Sequence, residues 1–255
     1  MSNLEILLVP ALAGVLVLLS HVPLGRQVLG RGIVFIDLAI AQVAALGVLV
    51  AGSLAGDAHG MEGAAHGMEG MAIAGLAGAC AALAGAALVA WLGQRWPERR
   101  EALIGLVYVA GAVLALLWVS ADHSGGQRLA AMLSGDVLWV SLPQLLPLAL
   151  ATAGFLILQW RRPGALALGR VFYPAFAILI SLSVPLLGLY LVFASLIVPA
   201  LAVGDGGRLG GAVLFGALAY ALGLLASLWL DLPSGPCVVL ALVLLGVGSA
   251  LWRRL

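Results

Sequence analysis

Long apolar windows, separated by short polar stretches, run through most of the chain. A helix needs about 20 residues to cross roughly 30 Å of hydrocarbon, and each window is close to that length. The pattern therefore predicts an all-α protein, a polytopic transmembrane helix bundle. The predicted single spans are Ile6–Leu24, Gly32–Leu54, Met71–Gly93, Ala102–Ser120, Val137–Trp160, Leu209–Leu230 and Ser234–Trp252.

A further window, Val171–Gly204, is uncharged and too long for one span. We expect two short spans hinged near Pro185 and Gly188, or a broken and partly re-entrant pair, with Pro199 in the second half. The total is then about eight to nine spans. Because non-helical backbone at membrane depth is tolerated only against protein or a water-lined cavity, we expect this pair to pack inside the assembly.

Two polar residues, Asp37 and Gln42, interrupt the second window. Inserting a carboxylate at the centre of a span costs about 2.5–3.5 kcal/mol, so such a residue is a functional-site hypothesis. On a helix the two residues are about 140° apart and separated by ~7.5 Å of rise, so they do not form a ligand pair on one face. Asp37 lies about one and a half turns from the end of the span that we expect to face the cytoplasm. Three interpretations of the two residues remain open. Both residues line a transport path, or Asp37 pairs with Arg26 or Arg31, or Asp37 snorkels to the interface.

The composition agrees with a membrane protein, because 64% of the residues are hydrophobic and 9% are charged. Soluble domains carry roughly 25% charged residues. Lysine is absent, so all basic residues are Arg. A Walker-type ATP site needs its lysine, so the chain is not itself an ATPase, and any ATP must be bound by a separate chain.

The distribution of Arg predicts the orientation. Every Arg except Arg128 lies in loops, or at the C-terminus, that can share one side of the membrane. Cytoplasmic loops carry an excess of basic residues, so we expect the N-terminus outside and the C-terminus inside. Val171–Gly204 must then cross an even number of times.

The outward loop at residues 56–71 contains the hexapeptide AHGMEG twice. His59, Glu62, His66 and Glu69 offer imidazole and carboxylate groups, which suit Zn²⁺, Mn²⁺ or Fe²⁺. Two interpretations remain open. The loop is a solvated tandem duplication, or it collects metal at the mouth of a path.

One histidine, His21, lies near the inner end of the first span. We expect a structural, hydrogen-bonded role for it.

Four segments together resemble a known family, the membrane-spanning permeases of metal-type ABC-3 importers for zinc, manganese and iron. They are RGIVFIDLAIAQVAALG at Arg31–Gly47, MLSGDVLWV at Met132–Val140, GLYLVFASLIVPALA at Gly188–Ala202 and DLPSGPCVVL at Asp231–Leu240. Gln42 falls where the family usually has histidine, and Asp37 falls one residue before the family's aspartate.

The resemblance implies a type II ABC importer-like permease forming one transmembrane domain over residues 1–255. It implies a bacterial inner-membrane homodimer that works with a cytoplasmic ABC ATPase and an extracytoplasmic metal-binding protein. The transported ion would be zinc or manganese, and no intrinsic cofactor or nucleic acid is expected. The loop at 161–170 would couple to the ATPase through Arg161, Arg162, Ala165, Gly169 and Arg170.

Other transport functions remain as alternatives. A permease for a metal chelate, such as a siderophore or corrinoid, would need a wide aromatic cavity, which ten Phe and Tyr residues in total disfavour. A carrier not driven by ATP is a further alternative. The sequence shows no intramembrane Ser/His pair and no HExxH motif, so we do not expect an intramembrane enzyme.

Overall fold

A computed structural model describes residues 3–58, 69–120, 135, 137–204 and 207–252. Within these ranges the chain forms nine α-helices and no β-strand. The helices are α1 Asn3–Arg31, α2 Ile36–Ala58, α3 Glu69–Arg95, α4 Arg100–Ser120, α5 Leu142–Arg161, α6 Gly169–Leu187, α7 Leu189–Val203, α8 Leu209–Leu230 and α9 Ser234–Trp252. Short 3-10 turns occur at Pro97–Arg99, Val137–Trp139 and Ala165–Ala167.

The predicted fold class is confirmed. In the described part of the chain, 7 helices are long and apolar enough to cross a membrane. Two shorter apolar helices, Ile36–Ala51 and Leu189–Val203, complete the set. The second of these is the second half of the predicted broken pair.

Contacts between Cα atoms divide the chain into two compact units. The first comprises residues 1–32, 131–168 and 183–255, and the second comprises residues 33–130 and 169–182. Because the segments of the two units alternate along the chain, the division does not follow a single linear boundary.

In the first unit α7 occupies the centre, packed against α1, α8 and α9. Ten of its 15 residues are buried, and a helix that is apolar on all sides is typical of such a position. The expectation that this segment packs within protein is therefore confirmed for α7.

In the second unit α2 packs against both α3 and α4. Small residues allow the close approach that helix pairs in membranes use. A Cβ atom on Gly47 of α2 would lie only 2.5 Å from the Cβ atom of Ala81 on α3. A larger residue at position 47 would therefore separate the two helices.

The break between α6 and α7 lies at Gly188, which has φ 83° and ψ 155°. Its N–H donates to the Val184 carbonyl at 2.8 Å, and its own carbonyl accepts from Val192 N–H at 3.1 Å. Pro185 belongs to the last turn of α6, and Pro199 lies inside α7. The helix is therefore interrupted at the glycine and not at either proline.

Three predicted boundaries were wrong. The helix of the fifth span begins at Leu142 instead of Val137, which belongs to a 3-10 turn. The first helix does not end at Leu24 but continues to Arg31, and the second begins at Ile36 instead of Gly32. The first helix ends just before Gly32, which has φ +63°. The Gly32 N–H donates a hydrogen bond to the Leu29 carbonyl and closes a turn between the two helices. Arg26, Gln27 and Arg31 end the apolar window after Leu24, but they do not end the helix, so the window stopped short of the true helix end.

Candidate functional site

Asp37 lies in the first turn of α2, not one and a half turns into it as predicted. The side chain is 0% exposed. Its Oδ1 atom accepts a hydrogen bond from Leu38 N–H at 2.8 Å. The free N–H groups at a helix N-terminus favour a negative charge, so this position lowers the cost of burying the carboxylate.

The second oxygen of Asp37, Oδ2, is buried and has no hydrogen-bond partner among the described residues. A buried acceptor left without a donor costs roughly 1–3 kcal/mol, and more when it is charged. Asp37 is thus a buried carboxyl group with one oxygen available to a cation.

Glu101 lies in the first turn of α4. It was not predicted as a site residue from the sequence. Its Oε1 atom accepts a hydrogen bond from Phe35 N–H at 3.2 Å, two residues before Asp37. Its Oε2 atom is also buried without a hydrogen-bond partner in the described part of the chain. The sequence did carry a signal, because Glu101 is the last charged residue before an apolar window.

Gln42 is 5% exposed and lies on the side of α2 that packs against α4. A Cβ atom on Gly111 of α4 would lie 3.2 Å from the Cβ atom of Gln42. The glycine therefore makes room for the amide side chain at the helix contact.

The two arginines proposed as partners of Asp37 donate to main-chain carbonyls. Arg26 Nη2 donates to the Gly207 carbonyl at 2.6 Å. Arg31 Nη2 donates to the carbonyls of Leu166 at 2.6 Å and Ala167 at 3.1 Å. None of these bonds involves Asp37, so they do not support the interpretation in which an arginine neutralises it.

The model of the ABC 3 transport family matches residues 3–163 and 165–253. The chain belongs to the ABC 3 transport family. It is a membrane-spanning transport subunit, and the resemblance to the metal-type permeases is confirmed.

The fold of the permease is similar to that of PsaBC from Streptococcus pneumoniae, solved in complex with Fab. The TM-score is 0.71 over 97% of this chain and 91% of the other, with 18% sequence identity. At this identity the likeness concerns the fold alone. No curated protein sequence matches the permease significantly.

The predicted coupling loop of the permease follows α5. Arg161 and Arg162 are exposed at its start, and Gly164, with φ +87°, turns the chain into the 3-10 segment Ala165–Ala167. Ala165 and Leu166 are buried, whereas Gly169 and the exposed Arg170 begin α6. The segment thus combines apolar anchors with outward basic side chains.

The predicted metal-collecting loop lies mostly outside the described residues. His59, Glu62 and His66 are in that undescribed segment, and Glu69 begins the backbone of α3. Elsewhere, in the described ranges, no group of three or more His, Cys, Asp or Glu side chains could hold a metal ion. The role of the loop stays a prediction.

The expected hydrogen-bonded role of His21 is confirmed. Its ring is 0% exposed, and Nδ1 lies 3.1 Å from the Val17 carbonyl and 3.0 Å from Ser20 Oγ. Because a carbonyl only accepts, Nδ1 donates to Val17, and Nε2 is hydrogen-bonded to the Ser183 hydroxyl at 3.1 Å. His21 therefore joins α1 to the end of α6. The expectation that no intramembrane Ser/His pair exists was wrong, because Ser183 is 162 positions from His21 in the sequence.

Proposed function

We propose that the permease imports a divalent metal ion, zinc or manganese, and that a separate ABC ATPase supplies the energy. The observation that carries the proposal is Asp37, a fully buried carboxylate whose Oδ2 atom has no hydrogen-bond partner in the described structure. An isolated buried charge is costly unless it is paired or bound to a metal. A passing cation would remove that cost.

The ligand chemistry of the second unit supports a small cation as the cargo. Asp37 and Glu101 each have one buried oxygen without a partner in the described part, and Gln42 adds an amide oxygen. Carboxylate and carbonyl oxygens suit Mn²⁺, and carboxylates also bind Zn²⁺. In this proposal the metal path passes Asp37 and Gln42, and two copies of the permease enclose it in a two-fold homodimer.

The ATPase would dock at residues 161–170, with Arg161, Arg162 and Arg170 as its contacts. Arg31 supports this proposal because it is bonded to two carbonyls of the same segment. Movement of the loop would thereby reach the end of α1. Small motions are amplified where packed helices have two arrangements, and Pro185, Gly188 and Pro199 would allow α6 and α7 to change their packing.

An extracytoplasmic binding protein would deliver the metal to the outer mouth. The loop with His59, Glu62, His66 and Glu69 would raise the metal concentration there. The proposed setting is a bacterial inner membrane with the N-terminus outside, as the distribution of Arg indicates.

Uptake of radioactive zinc and manganese by metal-starved cells tests the proposal. Deletion of the gene should abolish high-affinity accumulation of one of the two ions, and the wild-type gene should restore it. Unchanged accumulation of both ions would contradict the proposal. Loss of a metal chelate instead would favour the alternative substrate. Copurification of a subunit with a Walker lysine tests the ATPase separately.

A further inference from the structure

A cavity of about 220 Å³ lies between α3 and α6 within the second unit. The cavity lies near the C-terminal end of α3, which ends at Arg95, and near the N-terminal end of α6, which begins with Gly169 and Arg170. Three polar side chains line it, those of Gln94, Arg170 and Tyr173. The remaining lining is apolar and includes Leu83, Ala86, Ala87, Ala90 and Pro174.

The polar and apolar linings are separated along α3. Gln94 lies on the last turn of the helix, whereas Leu83 lies 11 positions earlier, or ~16 Å along the helix axis. The cavity therefore has a charged mouth and an apolar wall that continues toward the membrane interior. A small soluble anion would occupy only the mouth.

A second guanidinium group lies near this mouth. A Cβ atom on Gly93 would lie 3.1 Å from Arg100 Cδ and 4.0 Å from the Tyr173 hydroxyl. The side chains of Arg100 and Tyr173 therefore both lie next to Gly93. Tyr173 also lines the cavity. In the segment 95–101 together with Arg170, basic residues outnumber acidic ones by four to two. The local charge favours an anion.

The neighbouring aromatic residues indicate the depth of the mouth in the membrane. Trp91 and Trp96 form an edge-to-face pair with centroids 5.8 Å apart, and both are exposed. Arg95 lies over the Trp96 ring at 5.3 Å. Exposed tryptophans are enriched at the level of lipid headgroups, so the mouth opens at that level.

We propose that this cavity binds an anionic phospholipid. The phosphate of the headgroup contacts Arg170 and Arg100, and the Tyr173 hydroxyl and the Gln94 amide donate hydrogen bonds to its oxygens. An acyl chain lies along the wall formed by Leu83, Ala86, Ala87 and Ala90. Basic pockets between transmembrane helices are known to bind anionic headgroups. The site shares Arg170 with the proposed ATPase contacts, but neither Asp37 nor Gln42 of the proposed metal path belongs to it.

The binding can be measured on the purified full-length permease with native mass spectrometry. The protein is equilibrated with vesicles containing equal amounts of phosphatidylglycerol and phosphatidylcholine. We expect the wild type to retain phosphatidylglycerol preferentially, and Arg170→Ala to lower this retention ~5-fold or more. Tyr173→Phe keeps the ring and removes the hydroxyl, so it should lower retention less while preserving the fold.

Arg99→Ala is the matched control, because Arg99 is exposed on the adjacent 3-10 turn and does not line the cavity. It removes the same charge and should leave retention unchanged. Equal loss in Arg99→Ala and Arg170→Ala, or no preference for the anionic lipid in the wild type, would overturn the proposal. Competition by millimolar inorganic phosphate that removes all retained lipid would overturn it in favour of a free anion. Size-exclusion profiles of the variants confirm that they are folded.

Discussion

The carboxylate of Glu101 accepts a hydrogen bond from the main-chain N–H of Phe35, with 3.2 Å between Oε1 and N. Phe35 immediately precedes α2, so Glu101 satisfies one of the N–H groups that a helix start leaves without an intrahelical partner. Asp37 occupies the first turn of the same helix. Two carboxyl groups from different helices therefore accept hydrogen bonds from N–H groups at the N-terminus of α2. Each has a second, buried oxygen without a hydrogen-bond partner among the described residues.

Replacing Asp37 by Asn should lower metal transport without lowering the stability of the fold. The change removes the buried charge proposed to bind the metal, so we expect metal uptake to fall at least ~10-fold, equivalent to about 1.4 kcal/mol. The thermal unfolding temperature should stay the same or rise, because a buried charge with an unsatisfied oxygen is lost. Glu98→Gln is the control, since Glu98 is exposed. Normal uptake in Asp37→Asn would remove Asp37 from the path.

Glu101 can be tested by two variants with different expected effects. Glu101→Gln keeps an oxygen that accepts from Phe35 N–H, so stability should change little while uptake falls. Glu101→Ala also loses the hydrogen bond, which should lower the free energy of unfolding by about 1 kcal/mol. Equal uptake in the wild type and in Glu101→Gln would restrict Glu101 to a structural role at the start of α2.

Gly188 should not tolerate a side chain. Its φ of 83° with ψ of 155° lies in a region that is essentially restricted to glycine, so Gly188→Ala should destabilise the permease by about 1–3 kcal/mol. Gly154 of α5 offers a matched control, because a Cβ atom there meets nothing within 4 Å. Gly154→Ala should be neutral or stabilise by roughly 0.5–1 kcal/mol. Thermal unfolding in detergent measures both, and similar effects of the two variants would contradict the argument.

Arg31 should matter for coupling more than for metal binding. Arg31→Ala removes charge-assisted bonds to Leu166 and Ala167, each worth about 1.5–3 kcal/mol. The 3-10 segment loses its attachment to the end of α1, so we expect reduced stimulation of ATPase activity by transport substrate in proteoliposomes. Arg99→Ala serves as the charge-matched control. Full stimulation in Arg31→Ala would show that the attachment is not needed.

The repeated loop gives a prediction about metal affinity. Replacing both His59 and His66 by Ala should weaken binding of Zn²⁺ at the outer site ~10-fold, because imidazole is its preferred ligand there. Calorimetric titration of the purified permease measures this. Replacing His21 would be a poor control, since that ring is part of a buried hydrogen-bond network. An unchanged isotherm would favour a solvated repeat without metal.

The membrane bundle, the broken pair around Gly188 and the carboxylate in the second apolar window could all be predicted from the amino-acid sequence. These features follow from local composition, since the bilayer requires long apolar helices and an interior polar residue interrupts such a run visibly. The family motifs also lie in continuous segments. For the same reason the family could be inferred from the order of residues along the chain.

The start of α2 and the surroundings of Asp37 depend instead on how the helices pack. The bond of Glu101 to Phe35 joins residues 66 positions apart, and that of His21 to Ser183 joins residues 162 positions apart. Arg31 is close enough in sequence to be a possible partner for Asp37, but it binds carbonyls more than 130 positions away. Hydropathy averages over neighbours in sequence and therefore carries no record of such partners.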